Sequence, residues 1–118
     1  MFKKIIDKKV FDLALDTSNY GLKKTKHYAS LKNKKCGDRI EVSLNIKNKK
    51  IKRMYYETES CLFCKASASL FSKKIKNIDI NKIDKIIFTI KFNPLLSKKY
   101  LSRKDCIMLP YYALKKAL

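Results

Sequence analysis

Two cysteines frame the segment Cys61-Leu62-Phe63-Cys64, and the residues after them, Ala66-Ser67-Ala68-Ser69, are all small. The thiolate is the nucleophilic and metal-binding form of cysteine, and the free backbone N–H groups of a helix N-terminus favour it. A helix opening here therefore gives Cys61 and Cys64 an inexpensive route to a low thiol pKa. The small residues let another backbone, a cluster or a partner chain approach closely, which a Leu-rich run would forbid. A Cys-x-x-Cys alone fits half of a zinc site, a dithiol redox pair, or two cysteines packed as small hydrophobes. Two further cysteines widen the choice: Cys36 in Cys36-Gly37-Asp38, and Cys106 in Arg103-Lys104-Asp105-Cys106-Ile107-Met108-Leu109-Pro110.

Whether these thiols can meet depends on the elements that carry them. Phe2, Ile5, Ile6, Val10 and Leu13 recur near one face of a helix over 2–15, closed by the polar segment 16–21 with Gly21 in a turn. Residues 24–31 alternate weakly and read as an edge strand. Ile40 to Ile46 alternates strictly, and a second extended run, 51–58, follows the polar turn 47–50. Antiparallel pairing of these runs carries Cys36, just before the first, and Cys61, just after the second, to one end of the sheet. A helix runs from Cys61 to about Ile75, a further helix from Ile80 to Ile90, and Asn93-Pro94 breaks the chain. The last helix spans about Arg103 to Leu118, and Pro110 is expected to kink it or shift its start. The expectation is an α+β fold with a small three-stranded antiparallel sheet covered by helices.

At 118 residues, the chain reads as one domain, 1–118, burying roughly two-thirds of its unfolded surface without covalent staples. The N-terminus is interrupted by charge before an apolar run can build, so no secretory signal is read, and the thiols are expected to be reduced in the cytoplasm or an organelle matrix. No apolar segment is long enough to span a bilayer. The net charge of +19 suggests nucleic acid, but only three of the 29 basic residues are Arg and the lysines are spread over every segment. Phosphate and base recognition favours clustered charge and bidentate Arg, so the Lys, Ile and Asn abundance is read as genomic composition bias. Attraction to an acidic partner needs only the net field.

Cys36-Gly37-Asp38 before an alternating strand, Cys61 followed by Ala66-Ser67-Ala68-Ser69, an Arg-x-x-Cys-x-x-Leu-Pro helix, and Asn19-x-Gly21 upstream together resemble the U-type iron–sulfur cluster assembly scaffolds. That family comprises IscU, the NifU N-terminal domain and SufU. The resemblance covers essentially the whole chain. It implies that Cys36, Asp38, Cys61 and Cys106 hold the cluster or metal, with Cys106 as first sulfur acceptor. It also implies a cysteine desulfurase as sulfur donor, a labile [2Fe–2S] cluster as cargo, and apo-proteins as recipients. The protein would be a carrier rather than an enzyme, a monomer or weak homodimer, without nucleic-acid or membrane partners.

The chemistry of such a donor set agrees. Soft thiolates select zinc or iron–sulfur clusters over hard cations, and a carboxylate in the fourth place weakens the grip, as a site that must release its cargo requires. The alternative is a zinc-bound, SufU-like sulfur-transfer protein that stimulates a desulfurase. A third reading is a basic interaction module with incidental cysteines. The chain departs from the family pattern at several points. Asp105 stands where IscU-type members have His, and Glu59 and Ser60 replace glycines. Cys64 stands where Ser is common and is read as an extra thiol ligand, a resolving cysteine or a packed bystander. The 44 residues between Cys61 and Cys106 leave no room for the SufU insertion. Nothing near Tyr100–Arg103 matches the Leu-Pro-Pro-Val-Lys segment by which a dedicated Hsp70 recognises IscU. His27 is read as structural or merely exposed.

Overall fold

The alternating runs pair as expected in a computed structural model that describes residues 8–35, 37–86, 89 and 92–118. Strand β2 (Arg39–Lys47) and strand β3 (Lys50–Glu59) form an antiparallel hairpin in the register Arg39↔Glu59, Val42↔Tyr56 and Lys47↔Lys50. Asn48 and Lys49 close it with positive φ at both positions, the backbone that matches the twist of a two-residue hairpin turn. The weakly alternating segment becomes edge strand β1 (His27–Lys32), antiparallel to β2. Ile40, Val42, Leu44, Ile51, Met54 and Tyr56 form the buried side of the hairpin.

Helices cover that side. Helix α1 (Lys8–Leu15) buries Val10 and packs on helix α2 (Leu62–Lys74), which in turn packs on β3 and on the last helix. Phe63, Cys64 and every residue from Ala66 to Ser72 are buried in α2. Its small side chains thus serve close packing inside the fold: the backbones that approach are those of its own neighbours. A helix enclosed in this way shows no apolar stripe, and its serines must find partners. Ser72 Oγ donates to the Ser69 carbonyl at 2.7 Å and receives Asn19 Nδ2 at 3.0 Å.

A fourth strand, β4 (Ile78–Asp79), joins the sheet beyond β3, so the order is β1-β2-β3-β4 rather than three strands. Asn77, at φ 68°, turns the chain after α2, and its N–H donates to the Ile51 carbonyl at 2.6 Å. Two residues are too few to show alternation. The helix expected over 80–90 is shorter among the described residues. A 3₁₀ turn at Ile80–Lys82, capped by the Asp79 carboxylate at 2.8 Å from Asn81 N, leads into helix α3 (Ile83–Ile86). Residues 87–88 and 90–91 lie outside the described set, as do residues 1–7 of the first expected helix.

Helix α4 (Lys104–Ala117) begins where expected, and Pro110 sits inside it without moving its start. Lacking an N–H, Pro110 leaves the Cys106 carbonyl without its helical partner. His27 is structural as read: its Nδ1 lies 3.2 Å from the Ala117 carbonyl, tying β1 to the end of α4. No described helix is long and apolar enough to cross a membrane.

The turn after α1 is held by charge. Asp16 pairs with Lys73 and accepts from Ser18 N at 2.9 Å, and the Lys73 hydrogen bond, then those of Ser18, hold its carboxyl well below the usual carboxylate range. A carboxyl depressed on folding stabilises the fold above its unfolded pKa of about 4 and loses that contribution as the pH falls further. Because Lys73 is partly exposed, screening limits the effect to about 1 kcal/mol at most. Asp16→Asn should therefore lower the urea midpoint more at pH 7 than at pH 2, since the contribution is lost only as the pH falls through the depressed folded pKa. An equal loss at both pH values would assign the effect to packing.

Candidate metal and sulfur site

The hairpin register builds one end of the site. Arg39↔Glu59 is the last pair of the ladder, with an ion pair of 3.3 Å between the side chains, so Asp38 and Ser60 leave the sheet side by side. Thr58 Oγ1 donates to the Arg39 carbonyl at 2.6 Å, which ties the two strands as they part, and the Ser60 hydroxyl lies 2.8 Å from Thr58 Oγ1. Before Asp38 the chain folds back tightly. Gly37, at φ 77°, donates to the Asn33 carbonyl at 2.8 Å, and Asn33 N–H donates to the Asp38 carbonyl at 2.7 Å. Such a φ strains any side-chain-bearing residue, which explains glycine at this position.

Cys61 follows Ser60 and is the N-cap of α2, in extended conformation, with no capping bond from its side chain. Its sulfur is thereby left for other chemistry. Its backbone N–H donates to Asp38 Oδ1 at 3.2 Å. Cys106 enters from the first turn of α4. The sulfurs of Cys61 and Cys106 and a carboxylate oxygen of Asp38 all lie within 4.8 Å of one another. Ligands around one tetrahedral ion at about 2.0 to 2.3 Å stand roughly 3.3 to 3.8 Å apart, so a small contraction brings this group onto a common centre.

Two observations bear on what the group accommodates. Asp38 is 6 % exposed, yet its second carboxylate oxygen, Oδ2, is buried and has no hydrogen-bond partner among the described residues. A carboxylate oxygen stranded in this way carries a desolvation cost that a cation offsets directly. The Cys106 thiol is raised well above its ordinary value, first by burial and then by Cys61 and Asp38 beside it. The neighbours that hold it protonated are those that would share a metal with it, and a cation there reverses the balance. The donor set thus fits a thiophilic metal ion or an iron–sulfur cluster.

Of the residues read from sequence, the structure brings together Asp38, Cys61 and Cys106. Cys36 lies outside the described residues; its chain neighbours Lys35 and Gly37 belong to the turn that presents Asp38. Cys64 is not brought into the group. It is wholly buried in the core, where burial above all pushes its thiol up to about 12, the opposite of the depression expected from a helix N-terminus. Desolvation outweighs the helix dipole there because no water reaches the sulfur. Of the three readings for Cys64, the packed bystander agrees with this placement. Sequence reasoning gave no part to Ser67 and Asn93, both buried and hydrogen-bonded to each other at 3.3 Å, with Ser67 also bonded to the carbonyl of Ile107, next to Cys106.

The open end of the hairpin sets Asp38 beside Cys61, and α4 brings Cys106 to them, a donor set that fits a thiophilic metal. The chain belongs to the family of NifU-like N-terminal domains, whose model matches residues 5–118. This is a scaffold family of iron–sulfur cluster assembly. The fold is similar to that of the N-terminal part of a nitrogen-fixing NifU-like protein from Brucella abortus, with a TM-score of 0.83 at 16 % identity, covering 98 % of this chain and 93 % of that one. It is also similar to a protein from the thermophile Fervidobacterium islandicum AW-1 described as an iron–sulfur cluster assembly scaffold for the SUF system, with a TM-score of 0.79 at 18 % identity, covering 96 % of each chain. A search of curated protein sequences finds no match.

Proposed function

We propose that the protein accepts sulfur from a cysteine desulfurase, assembles a labile [2Fe–2S] cluster with iron on Cys36, Asp38, Cys61 and Cys106, and passes it to apo-proteins. The observation that carries this reading is the convergence of Asp38, Cys61 and Cys106, with one buried Asp38 oxygen that has no hydrogen-bond partner among the described residues. Sulfur enters when the Cys106 thiolate attacks the outer sulfur of the donor's persulfide, forming a Cys106 persulfide and releasing the donor's thiolate. Each sulfur so delivered needs two electrons from a separate reductant to become sulfide. Cys61 and Asp38, within 4.8 Å of Cys106, are placed to share iron with that sulfide. The chain's own contribution is to bring these groups together and to shield them from water.

A groove of about 410 Å³ is lined by the turn Lys32–Lys35 and the α4 residues Asp105, Leu109 and Tyr112. Lysines on its rim supply a field for an acidic partner, in keeping with a net charge of +19.

Anaerobic reconstitution with ferrous iron and sulfide tests the reading. The expected result is a visible charge-transfer spectrum and a Mössbauer signature of a two-iron cluster, with stoichiometric transfer to an apo-ferredoxin. A protein that keeps zinc under these conditions, forms no cluster, and still accelerates a desulfurase would instead support the zinc-bound sulfur-transfer alternative.

A further inference from the structure

We infer that Ser67 and Asn93 are positioning residues, which hold Cys106 at its working distance from Cys61 by tying the first turn of α4 to the middle of α2. The inference rests on the ligand role proposed above for Cys61 and Cys106. Cys61 is fixed by the start of α2 and Cys106 by the start of α4, so the separation of their sulfurs is set by the register of one helix against the other. Apolar packing between them is non-directional and tolerates small slides. A hydrogen bond of good geometry does not.

The start of α4 is weakly held from within. Arg103, its N-cap, makes no side-chain capping bond, and Pro110 has no N–H to return to the Cys106 carbonyl. A separate hold comes from α2, on the next carbonyl along. Ser67 Oγ donates to the carbonyl of Ile107, the residue next to Cys106, at 2.6 Å. Having given its one hydrogen to Ile107, the Ser67 oxygen accepts Asn93 Nδ2 at 3.3 Å. Asn93 is held in turn, because its Oδ1 accepts from Leu95 N at 3.0 Å and its backbone N–H donates to the Thr89 carbonyl at 3.1 Å. Ser67 is fully buried and Asn93 nearly so, and no water competes for these bonds. The chain of contacts thus runs from the turn before Pro94, through α2, to the backbone beside the candidate ligand. Outer partners that orient metal ligands typically affect metal affinity by about 10- to 100-fold, although they never touch the metal.

The test measures zinc affinity by competition with a chromophoric chelator, the thiolate-to-metal charge-transfer band of the Co(II) form, and urea stability for each variant. Ser67→Ala should bind zinc about 10-fold more weakly, with a weakened Co(II) band. Ser67→Thr, which keeps the hydroxyl, should recover most of both. Asn93→Ser keeps an oxygen to cap Leu95 N but removes the amide donor, and should lose affinity several-fold, an independent reading should Ser67→Ala fold poorly. Ile51→Val, a core truncation in β3 away from the site, should lose stability and keep wild-type affinity. The proposal is overturned if Ser67→Ala and Asn93→Ser bind zinc as wild type does, or if Ile51→Val weakens binding as much as Ser67→Ala. Cys106→Ser separates the two levels: wild-type zinc affinity in that variant would remove the ligand reading itself, whereas its loss alongside an unaffected Ser67→Ala would remove only the positioning role.

Discussion

Cys106→Ser should lose nearly all sulfur uptake when the protein is incubated with a cognate desulfurase and cysteine, and its zinc affinity should fall by about 100-fold or more. The second figure follows from sharing the roughly 10 to 16 kcal/mol of a zinc site at neutral pH among four ligands, of which one thiolate is then missing. Cys64→Ser should leave both quantities within about two-fold of wild type. The contrast is informative because both thiols are raised, first by burial, yet only Cys106 lies in the donor group with Asp38 and Cys61. Cys64 is surrounded by core, and burial there outweighs the Ser60 and Thr58 hydroxyls that favour its thiolate. Cys106 is raised in part by Cys61 and Asp38, the groups that a metal ion would pull together with it. Loading must therefore expel the Cys106 proton. Apparent zinc affinity should rise across pH 6 to 8 by about one order of magnitude per pH unit for each thiol proton released. Intact-protein mass spectrometry reads the sulfur adduct, and chelator competition reads the metal. Equal sulfur labelling of Cys64 and Cys106 would point to free sulfide chemistry, and pH-independent zinc affinity would mean that the thiols do not bind it.

The part of this site that was legible in the sequence is the part that strand alternation encodes. Ile40 to Ile46 and 51–58 alternate because one side faces the helices, and pairing them is enough to bring Asp38 and Cys61 together at the open end. The end of α2 was equally legible, since Asn77-Ile78-Asp79 carries polar residues suited to a turn and a cap. What was not legible lies where local pattern is silent. Strand β4 is two residues long, and its pairing is decided by the positive φ of Asn77 rather than by composition. The short α3 follows a 3₁₀ turn set by the Asp79 cap, while the isoleucine spacing from Ile80 onward suggests a longer helix. The depth of Cys64 could not be read because α2 is enclosed on nearly every side, and Ala and Ser at most positions erase the apolar face that would have ranked its residues by burial. Ser67 looked like one small residue among four; only the folded geometry shows that its hydroxyl meets the backbone beside Cys106.

Asp38→Ala should give a cluster that outlives the wild-type one by about an order of magnitude and transfers correspondingly more slowly. Asp38 is a hard oxygen donor among soft thiolates, so it is the ligand whose hold on iron is weakest and whose departure opens the site to a recipient. Its structural setting sharpens the expectation. Oδ1 accepts from the Cys61 N–H at 3.2 Å, while Oδ2 is buried with no partner among the described residues. Removing the side chain costs the Cys61 bond, about 1 kcal/mol, but also removes a buried carboxylate oxygen that lacks compensation. The two effects oppose each other, so the metal-free fold should change in stability by no more than about 1 kcal/mol. Asp38→Asn, which keeps an acceptor for Cys61 N–H and loses the negative charge, separates the two contributions. If release depends on the carboxylate, the Asn variant should also hold its cluster longer than wild type. If Asp38 serves only to fix the start of α2, Asp38→Asn should behave as wild type and Asp38→Ala should lose its cluster faster. Decay of the visible band in the presence of a chelator, and transfer to an apo-ferredoxin followed by circular dichroism, distinguish these outcomes directly. A faster decay in both variants would show that the carboxylate retains the cluster rather than releasing it.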